Sequence, residues 1–325
     1  MKKIGLIGAA LLLSLGMSAF ATGASEQGPQ GGQVTRARMA TGGTAGTYYA
    51  FGSAFAQVLT EKTGISIPVQ STGASKANIQ LMDAGEVELA IVQNDVMDYA
   101  WKGTDLFTGE QTQTFRAIGT LYPEIIQIVA NPGAGIRSIA DLRGKRVSVG
   151  DAGSGTEFNA RQVLDAYGIS FNDIVVQNLG FGPSADAIRD NRIDAFFCVA
   201  GVPTPAIVDL ATSREIVLLE VDDANAAQLI RNYPFYTQFP IPAGTYRGQN
   251  AGAKTVAIKA TLIAHPSLPA DAVYRLTKTL FDSKAQIEAA HAKGAELSAS
   301  DAVTGISVPF HAGAERYFRE VGVLR

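Results

Sequence analysis

The sequence predicts an α/β protein that consists of two α/β lobes joined by hinge strands, with a ligand cleft between the lobes. Three observations predict this fold. Short apolar strands alternate with amphipathic helices, loops of small polar residues follow several of these strands, and the whole series occurs twice. Because ligands of open α/β sheets bind beyond the carboxyl ends of the strands, the loops are the first candidates for a ligand site.

The N-terminal residues have the pattern of a secretory signal peptide. Two lysines precede an apolar run over residues 4–17, and Ala19-Phe20-Ala21 is a small-x-small cleavage pattern. We therefore expect residues 1–21 to be cleaved after export to the periplasm. Residues 22–35, which are mostly small or polar, are expected to form a disordered leader.

Composition limits the partners that the exported chain can have. Without residues 1–21 it carries 25 basic and 30 acidic residues, a formal charge of −5, which gives no reason to expect a nucleic-acid partner. Cys198 is the only cysteine and lies in an apolar run, so we expect a buried thiol and no intrachain disulfide. About 300 residues exceed one ordinary hydrophobic core, which favours two domains.

The loop from Thr41 to Tyr49, TGGTAGTYY, lies between a short extended run and an amphipathic helix. Its three glycines allow close backbone approach, and the hydroxyls of Thr44, Thr47 and Tyr48 add directional donors. Free backbone N–H groups and the positive end of a helix dipole favour an anion in such a loop. The alternative is a tight turn that only starts the helix.

A second loop of small residues, Ser71 to Ser75, follows an alternating strand and starts another helix. Leu89 to Val92 then predicts a buried strand of the parallel type, which ends on Gln93. We expect Asn94 or Asp95 to cap the next helix.

Extended runs near residues 121–128 and 255–262 flank the second series, with an interruption expected at Tyr122 to Glu124. Two such runs suggest two chain crossings between the lobes, which is the arrangement that a closing hinge needs. The expected boundaries are residues 36–123 with 252–325 for lobe I and residues 124–251 for lobe II.

The two series match at a nearly constant spacing. The counterpart of the first loop is Gly150 to Thr156, GDAGSGT. We therefore expect two similar lobes that each present a Gly/Ser/Thr loop to a shared cleft. Three landmarks occupy the same places in both series: Thr44 and Ser154 are 110 residues apart, Ser75 and Ser184 are 109 apart, and Glu88 and Asp194 are 106 apart.

The loop from Gly150 to Thr156 is only a partial match to a phosphate-binding P-loop. It lacks the lysine, and Glu157 would repel a triphosphate. Ser154 lies between glycines without the five-residue spacing of a hydrolase elbow. The histidines are scattered without metal-ligand spacing, so we expect no catalysis, metal or cofactor, and surface or capping roles for His265, His291 and His311.

Binding is the function that these loops favour. One helix terminus contributes about 0.3 to 1 kcal/mol, whereas micromolar affinity requires about 8 kcal/mol. Donors from both lobes therefore have to act together, so ligand binding and lobe closure are expected to be coupled.

Seven segments over nearly all of the mature chain carry a resemblance to a known family. They are TGGTAGTYYAFG at 41–52, STGASKANI at 71–79, GEVELAIVQND at 85–95, LYPE at 121–124, SIADLRGKRVSVGDAGSGT at 138–156, DAFFCVAGVPTPAI at 194–207 and IPAGTYRGQ at 241–249. Through them the chain resembles the solute-binding proteins of tripartite ATP-independent periplasmic (TRAP) transporters, specifically the TAXI branch. The GGTxGTYY opening and the PAGTY segment are the more specific ones, whereas the SIADLRGKRVSVG style is shared widely among two-lobed periplasmic binding proteins.

The resemblance implies a periplasmic binding protein fold of type II that closes on a small organic anion. It also implies delivery of this anion to the integral membrane subunits of a TRAP permease. Known ligands of the branch resemble glutamate, 2-oxoglutarate and related dicarboxylates. The ligand-binding positions of the family correspond here to Thr44, Thr47, Tyr48, Thr72, Ser75, Asn78, Gln93, Ser154, Gly155 and Thr156.

This chain departs from the family pattern at Ala45 and Ala74, where glycine is common, and both small residues should keep the loops. Lys76 stands where an apolar residue is usual. We expect Lys76 either to reach a distal carboxylate of the ligand or to lie on a solvated helix face.

Two alternatives stay open for the function. Lobe architecture does not separate a TRAP receptor from the receptor of an ATP-driven (ABC) importer for an amino acid or sulfonate. The alternative of another class is an exported hydrolase that uses the Ser154 loop as an anion hole, but the sequence supplies no plausible base for it.

Overall fold

The computed structural model describes residues 34–325, in which ten strands form one mixed sheet. The strands are β1 (Met39–Ala40), β2 (Val69–Gln70), β3 (Leu89–Gln93), β4 (Arg116–Ala130), β5 (Arg146–Ser148), β6 (Val175–Gln177), β7 (Ala195–Ala200), β8 (Val217–Leu219), β9 (Thr237–Ile241) and β10 (Ala253–Ala264). The α-helices are α1 (Thr47–Thr63), α2 (Ser75–Asp83), α3 (Asn94–Lys102), α4 (Gly155–Ala166), α5 (Phe181–Arg189), α6 (Pro205–Ser213), α7 (Asp223–Asn232), α8 (Ala270–Asp282), α9 (Lys284–Ala290), α10 (Ala299–Ala302) and α11 (Ala312–Glu320).

The sheet consists of two parallel groups separated by two long antiparallel strands. Its strand order is β2-β1-β3-β10-β4-β7-β5-β6, with β8 beside β4 and β9 beside β10. β1 is parallel to β2 and β3, and β5 is parallel to β6 and β7, whereas β4 and β10 are antiparallel to each other and to their neighbours. β4 and β10 therefore pass between the two halves of the sheet and join them, which confirms the predicted hinge strands.

Helices cover both faces of each half of the sheet, and alternate residues of β3 and β7 belong to different cores. In the first half, Phe51 of α1 lies in one core and Met97 of α3 in the other. In the second half, Leu164 of α4 and Leu210 of α6 are in separate cores. Cys198 of β7 is fully buried, as predicted, and burial raises the pKa of its thiol. The described chain is therefore a two-lobed α/β protein.

β4 is continuous through Tyr122 to Glu124, so the interruption that the sequence predicts there is wrong. Pro123 lies opposite Lys259 of β10, and the pairing register shifts between Ala260 and Thr261. An irregularity of this kind accommodates proline, which has no N–H to donate to the ladder. β10 is likewise a single continuous strand, Ala253–Ala264.

α3 begins at Asn94, directly after β3, with the extended residue Gln93 in the N-cap position. The prediction that Asn94 or Asp95 caps this helix is therefore wrong. Asp95 lies in the first turn, where its Oδ1 accepts a hydrogen bond of 2.8 Å from the Val96 N–H. Because no loop separates β3 from α3, the end of the strand and the start of the helix lie at the same edge of the sheet.

An arginine–carboxylate pair occurs at the same place in both halves. The backbone N–H and Nε of Arg38, next to β1, donate to Glu88 Oε2 at 2.6 and 3.1 Å. The backbone N–H and Nε of Arg146, in β5, donate to Asp194 Oδ2 at 2.9 and 3.1 Å. The same bonds between matching residues support the internal repeat that the spacing of Glu88 and Asp194 indicates.

The predicted signal peptide, residues 1–21, lies outside the described residues, and so does most of the predicted leader. The last two leader residues, Val34 and Thr35, belong to the folded chain, because Thr35 O accepts a hydrogen bond of 2.9 Å from the Ser66 N–H. The expected lobe boundaries stay a prediction. Within residues 34–325, no helix has the length and apolar character needed to cross a membrane.

Candidate functional site

A cavity of about 430 Å³ lies between the two halves of the sheet. This volume is within the range of pockets that bind small molecules. As predicted, the loops that follow the parallel strands form most of its wall. The lining residues come from segments 42–48, 71–75, 151–156 and 180–183, together with Gln93 of β3, Glu124 of β4, and Val199 and Ala200 of β7.

Four helices begin at this cavity. α1 starts at Thr47, α2 at Ser75, α4 at Gly155 and α5 at Phe181, and all four residues line the wall. The first N–H groups of a helix have no partner within the helix, and the aligned peptide dipoles make this end positive. Among the lining residues within 34–325, there is no lysine, arginine or histidine. The described wall therefore offers an anion the backbone N–H groups of helix starts rather than cationic side chains.

Most of the predicted site residues line the cavity, but Asn78 does not. Its Nδ2 donates to Thr41 O at 2.5 Å and to Ile91 O at 2.8 Å. Asn78 thus holds the end of β1 against β3 and positions the loops indirectly. Ligand contact stays a prediction for the nine that line the wall: Thr44, Thr47, Tyr48, Thr72, Ser75, Gln93, Ser154, Gly155 and Thr156.

Lys76 is not among the residues that line the cavity. Its Nζ donates to Leu106 O at 2.9 Å, forms an ion pair of 3.1 Å with Glu110, and lies 5.0 Å from the centre of the Phe107 ring. These contacts hold the side chain against the segment that follows α3. The structure therefore favours a structural role for Lys76 over contact with a distal carboxylate.

The buried carboxyl group of Glu124 is the site feature that the sequence analysis does not identify. Glu124 is 1% exposed and accepts a hydrogen bond of 2.6 Å from Tyr48 Oη. Burial raises the pKa of Glu124 well above its usual range, and it raises the pKa of the Tyr48 hydroxyl as well. The sequence does contain a signal for this residue, which is the acid in LYPE next to the apolar run that starts at Ile125. Such a position favours burial, and a buried acid indicates a function.

The second half contributes one further acidic side chain to the wall, Asp151, and Glu157 lies next to the wall residue Thr156 in the chain. Ser154 caps α4, and its Oγ accepts the Glu157 N–H at 3.1 Å. The Glu157 carboxylate in turn accepts a loop N–H at 2.6 Å, and partial burial raises the pKa of Asp151 beside it. Ser154 thus caps the start of α4.

Two of the histidines have the predicted capping role. His291 and His311 each accept a hydrogen bond from a backbone N–H group at the start of a helix.

Close contacts join the two halves at the cavity. The Gln93 side chain rests on Gly155, where an added Cβ atom would lie 1.7 Å from Gln93 Oε1. Thr47 Oγ1 donates a hydrogen bond of 3.1 Å to Gly201 O. A larger residue at position 155 would therefore force the Gln93 side chain to move.

A buried polar network joins α3 to α4. It lies close to the cavity in the chain, because Gln93 directly precedes α3 and Gly155 starts α4, and both residues line the wall. Asn159 Nδ2 donates to Asp95 Oδ2 at 2.8 Å and to Tyr236 Oη at 2.9 Å. Gln162 Oε1 accepts from Tyr236 Oη at 2.6 Å, and Gln162 Nε2 donates to Tyr99 Oη at 3.2 Å. The two halves are thus held together by directional bonds as well as by apolar packing.

The protein has the fold class of the periplasmic solute-binding proteins, with two α/β lobes around a cleft. Residues 39–322 match the NMT1-like family. Because this match spans most of the chain, the protein belongs to the NMT1-like family.

Solved structures with similar folds include the following three. A structure from Bordetella bronchiseptica RB50 is 16% identical, with a TM-score of 0.55 and coverage of 90% of each chain. A structure described as a periplasmic transporter is 15% identical, with a TM-score of 0.55 and coverage of 88% of this chain and 92% of the other. A binding protein component of an ABC phosphonate transporter from Pseudomonas aeruginosa is 13% identical, with a TM-score of 0.51 and coverage of 80% and 79%. At these identities the likeness concerns the fold alone.

Proposed function

We propose that this protein is the solute receptor of a membrane transporter, that it acts in the periplasm after removal of residues 1–21, and that its cavity binds a small organic anion. The observation that carries the proposal is the convergence of four helix starts on one cavity, whose described wall has no cationic side chain. An anion there accepts hydrogen bonds from backbone N–H groups and hydroxyls, and its charge strengthens them. The proposal includes no catalytic step.

Both halves contribute donors, so ligand binding favours closure of the lobes. Thr47 and Ser75 come from the first half, and Ser154 and Thr156 from the second. One helix start alone contributes about 0.3 to 1 kcal/mol, so several have to act on the same ligand. We propose that the nine lining residues of the predicted site contact the ligand. The proposed lobes are residues 36–123 with 252–325, and residues 124–251.

The acid group of the ligand is proposed to be a carboxylate or a related oxyanion. The resemblance to TAXI receptors supports glutamate, 2-oxoglutarate or a similar carboxylate. The structure from Pseudomonas aeruginosa is a component of a phosphonate transporter, which supports an oxyanion of a second kind. All of these groups suit backbone donors at helix starts.

Two kinds of transporter are candidates for the membrane partner. The TAXI segments of the sequence support the integral membrane subunits of a TRAP permease. The solved structures support the ABC alternative better, because one of the three belongs to an ABC transporter and none is described as a TRAP receptor. The neighbouring genes distinguish the two, since an ABC importer requires an ATPase and a TRAP transporter requires a large permease without one.

A hydrolase that uses the Ser154 loop is the alternative of another class. Ser154 Oγ accepts the Glu157 N–H, and no histidine is among the described residues that line the cavity. Turnover of a carboxylate ester that is lost in Ser154→Ala would support the hydrolase. We expect no turnover by the wild-type protein.

A thermal-shift screen tests the proposal. The mature chain is heated with dicarboxylates, amino acids, phosphonates and sulfonates, and with neutral sugars as controls. A ligand at 100 times its Kd stabilises the folded state by about 2.7 kcal/mol, which raises the melting temperature by several degrees. A rise with one of the anions is expected. A rise with a neutral sugar alone would contradict the anion site.

A further inference from the structure

We propose that Glu124 binds an ammonium group of the ligand, so that the ligand is a zwitterion with a primary amine close to its acid group, such as an α-amino acid or an aminophosphonate. This inference rests on the proposed function and narrows its substrate class. The helix starts hold the acid group. Glu124 distinguishes an anion that carries an amine from the same anion without one.

Glu124 has one carboxyl oxygen available to a ligand. β4 carries the residue to the cavity wall, between the two halves of the sheet. Oε2 accepts the hydrogen bond of 2.6 Å from Tyr48 Oη, which restrains the carboxyl group at the start of α1. Oε1 accepts no hydrogen bond from residues 34–325. The free oxygen is therefore the candidate contact.

The described side chains around Glu124 supply no positive charge. Lys293 lies in this region, but its Nζ is 5.6 Å from the centre of the Tyr122 ring and is paired with Glu296, and the residue does not line the cavity. A buried carboxylate without a cationic partner is costly, and a ligand ammonium supplies that partner. The titratable groups that face Glu124 are all neutral or acidic: Tyr48 of α1, Asp95 of α3, Tyr122 of β4 and Cys198 of β7.

Gln93 supplies a second acceptor at the same cavity. Its Oε1 is buried and has no hydrogen-bond partner among the described residues. An ammonium group has three N–H donors to satisfy. The carboxyl oxygen of Glu124 and the amide oxygen of Gln93 can accept hydrogen bonds from these donors. A carboxylate or phosphonate group has no donor that these two oxygens could accept.

A protonated Glu124 that donates its O–H to the acid group of the ligand is the rival arrangement. Burial favours the protonated form of Glu124 before the ligand binds. If an ammonium binds, Glu124 releases this proton to solvent, and the carboxylate then accepts an N–H of the ammonium. If the protonated acid donates to the ligand, the proton is retained. Proton release therefore separates the two arrangements.

Isothermal titration calorimetry with matched ligand pairs tests the proposal. The pairs are glutamate and glutarate, alanine and propionate, aminoethylphosphonate and ethylphosphonate, and taurine and ethanesulfonate, each in two buffers of different ionisation enthalpy at neutral pH. We expect the wild-type protein to bind the amine-bearing member of at least one pair about 10- to 100-fold more tightly, as for a hydrogen bond between charged groups. Proton release is expected only with that member.

Glu124→Gln is the matched variant, because it keeps the size of the side chain and an oxygen for Tyr48. It is expected to lose both the preference for the amine and the proton release. Equal binding of the amine-free member in every pair would overturn the ammonium site and leave the anion receptor standing. If no anion binds and a neutral sugar does, both proposals are wrong. The wild-type measurements decide the question even if the variant does not fold.

Discussion

Asn159 of α4 donates a hydrogen bond of 2.8 Å to Asp95 of α3, and this bond connects the two halves of the sheet through a buried carboxyl group. Burial raises the pKa of Asp95 from 3.8 to about 6, although the bonds from Asn159 and the Val96 N–H oppose the shift. The contact between the halves therefore contains a carboxyl group that titrates under mildly acidic conditions.

Asp95→Asn is expected to gain stability relative to wild type as the pH rises from about 4 to about 7. Because the folded-state pKa of Asp95 lies above the unfolded-state value, ionisation of this carboxyl group destabilises the fold. The destabilisation is complete above about pH 6 and absent below about pH 4. The free energy of unfolding of the variant minus that of wild type should rise by about 3 kcal/mol. Urea denaturation across this pH range measures the difference.

Asp173→Asn is the control for this experiment, because its carboxyl group shifts in the opposite direction. Hydrogen bonds from the backbone and side chain of Ser170 lower the pKa of Asp173. Its carboxylate therefore stabilises the fold at neutral pH, and this stabilisation is lost as the pH falls through the folded-state pKa. The same slope for both variants would refute the assignment to Asp95.

Gly155→Ala is expected to weaken ligand binding by about 10- to 100-fold. An added Cβ would lie 1.7 Å from Gln93 Oε1, and overpacking of this kind costs about 1 to 3 kcal/mol. Calorimetric titration of the ligand measures the effect. Gln93→Ala in the same chain removes the clash. The loss of binding free energy in the double variant should therefore be smaller than the sum of the losses in the two single variants. Additive losses would mean that the two residues do not meet when the ligand is bound.

Tyr48→Phe is expected to weaken ligand binding by about 5- to 100-fold, because Glu124 Oε2 loses its donor beside the ligand. The matched control is Tyr274→Phe, which removes a tyrosine–glutamate bond of the same length, 2.6 Å, to Glu320 on the surface. The control should keep the wild-type affinity. Equal affinities of the two variants, measured by calorimetry, would remove Tyr48 from the binding site.

Ser154→Ala is expected to lower the free energy of unfolding by about 1 kcal/mol, because Ser154 caps α4. Asp222→Ala removes the cap of α7, away from the cavity, and should have a loss of similar size. Only Ser154→Ala should also weaken ligand binding. Denaturation and ligand titration of both variants separate the capping role of Ser154 from its role in the cavity wall.

Much of the fold could be predicted because it depends on local patterns. The alternation of apolar residues predicts the strands, and the loops of small residues predict where helices start. The spacing between Thr44 and Ser154 predicts that two loops face one cleft, and both residues line the cavity. These features require no knowledge of which distant residues touch.

The rest depends on contacts between distant segments. The packing of Gln93 on Gly155 joins residues from different lobes, and the sequence contains no sign of it. The predicted interruption of β4 also prevents the prediction of a role for Glu124. The side chain of a residue in a strand points to a known face of the sheet, whereas the side chain of a residue between two strands has no predictable direction. Only the continuous pairing of β4 with β10, with its register shift near Pro123, places this carboxyl group at the cavity.

The matching pairs Arg38 with Glu88 and Arg146 with Asp194 show that the two halves are built alike. Because helix starts from both halves meet at the cavity, the two halves offer the same kind of donor, so the matching series alone do not determine which end of a ligand faces which half. Glu124 lies on β4, one of the two long strands that pass between the halves of the sheet. The proposed contact between Glu124 and an ammonium group would therefore fix the orientation of the ligand from a strand outside the two matching series.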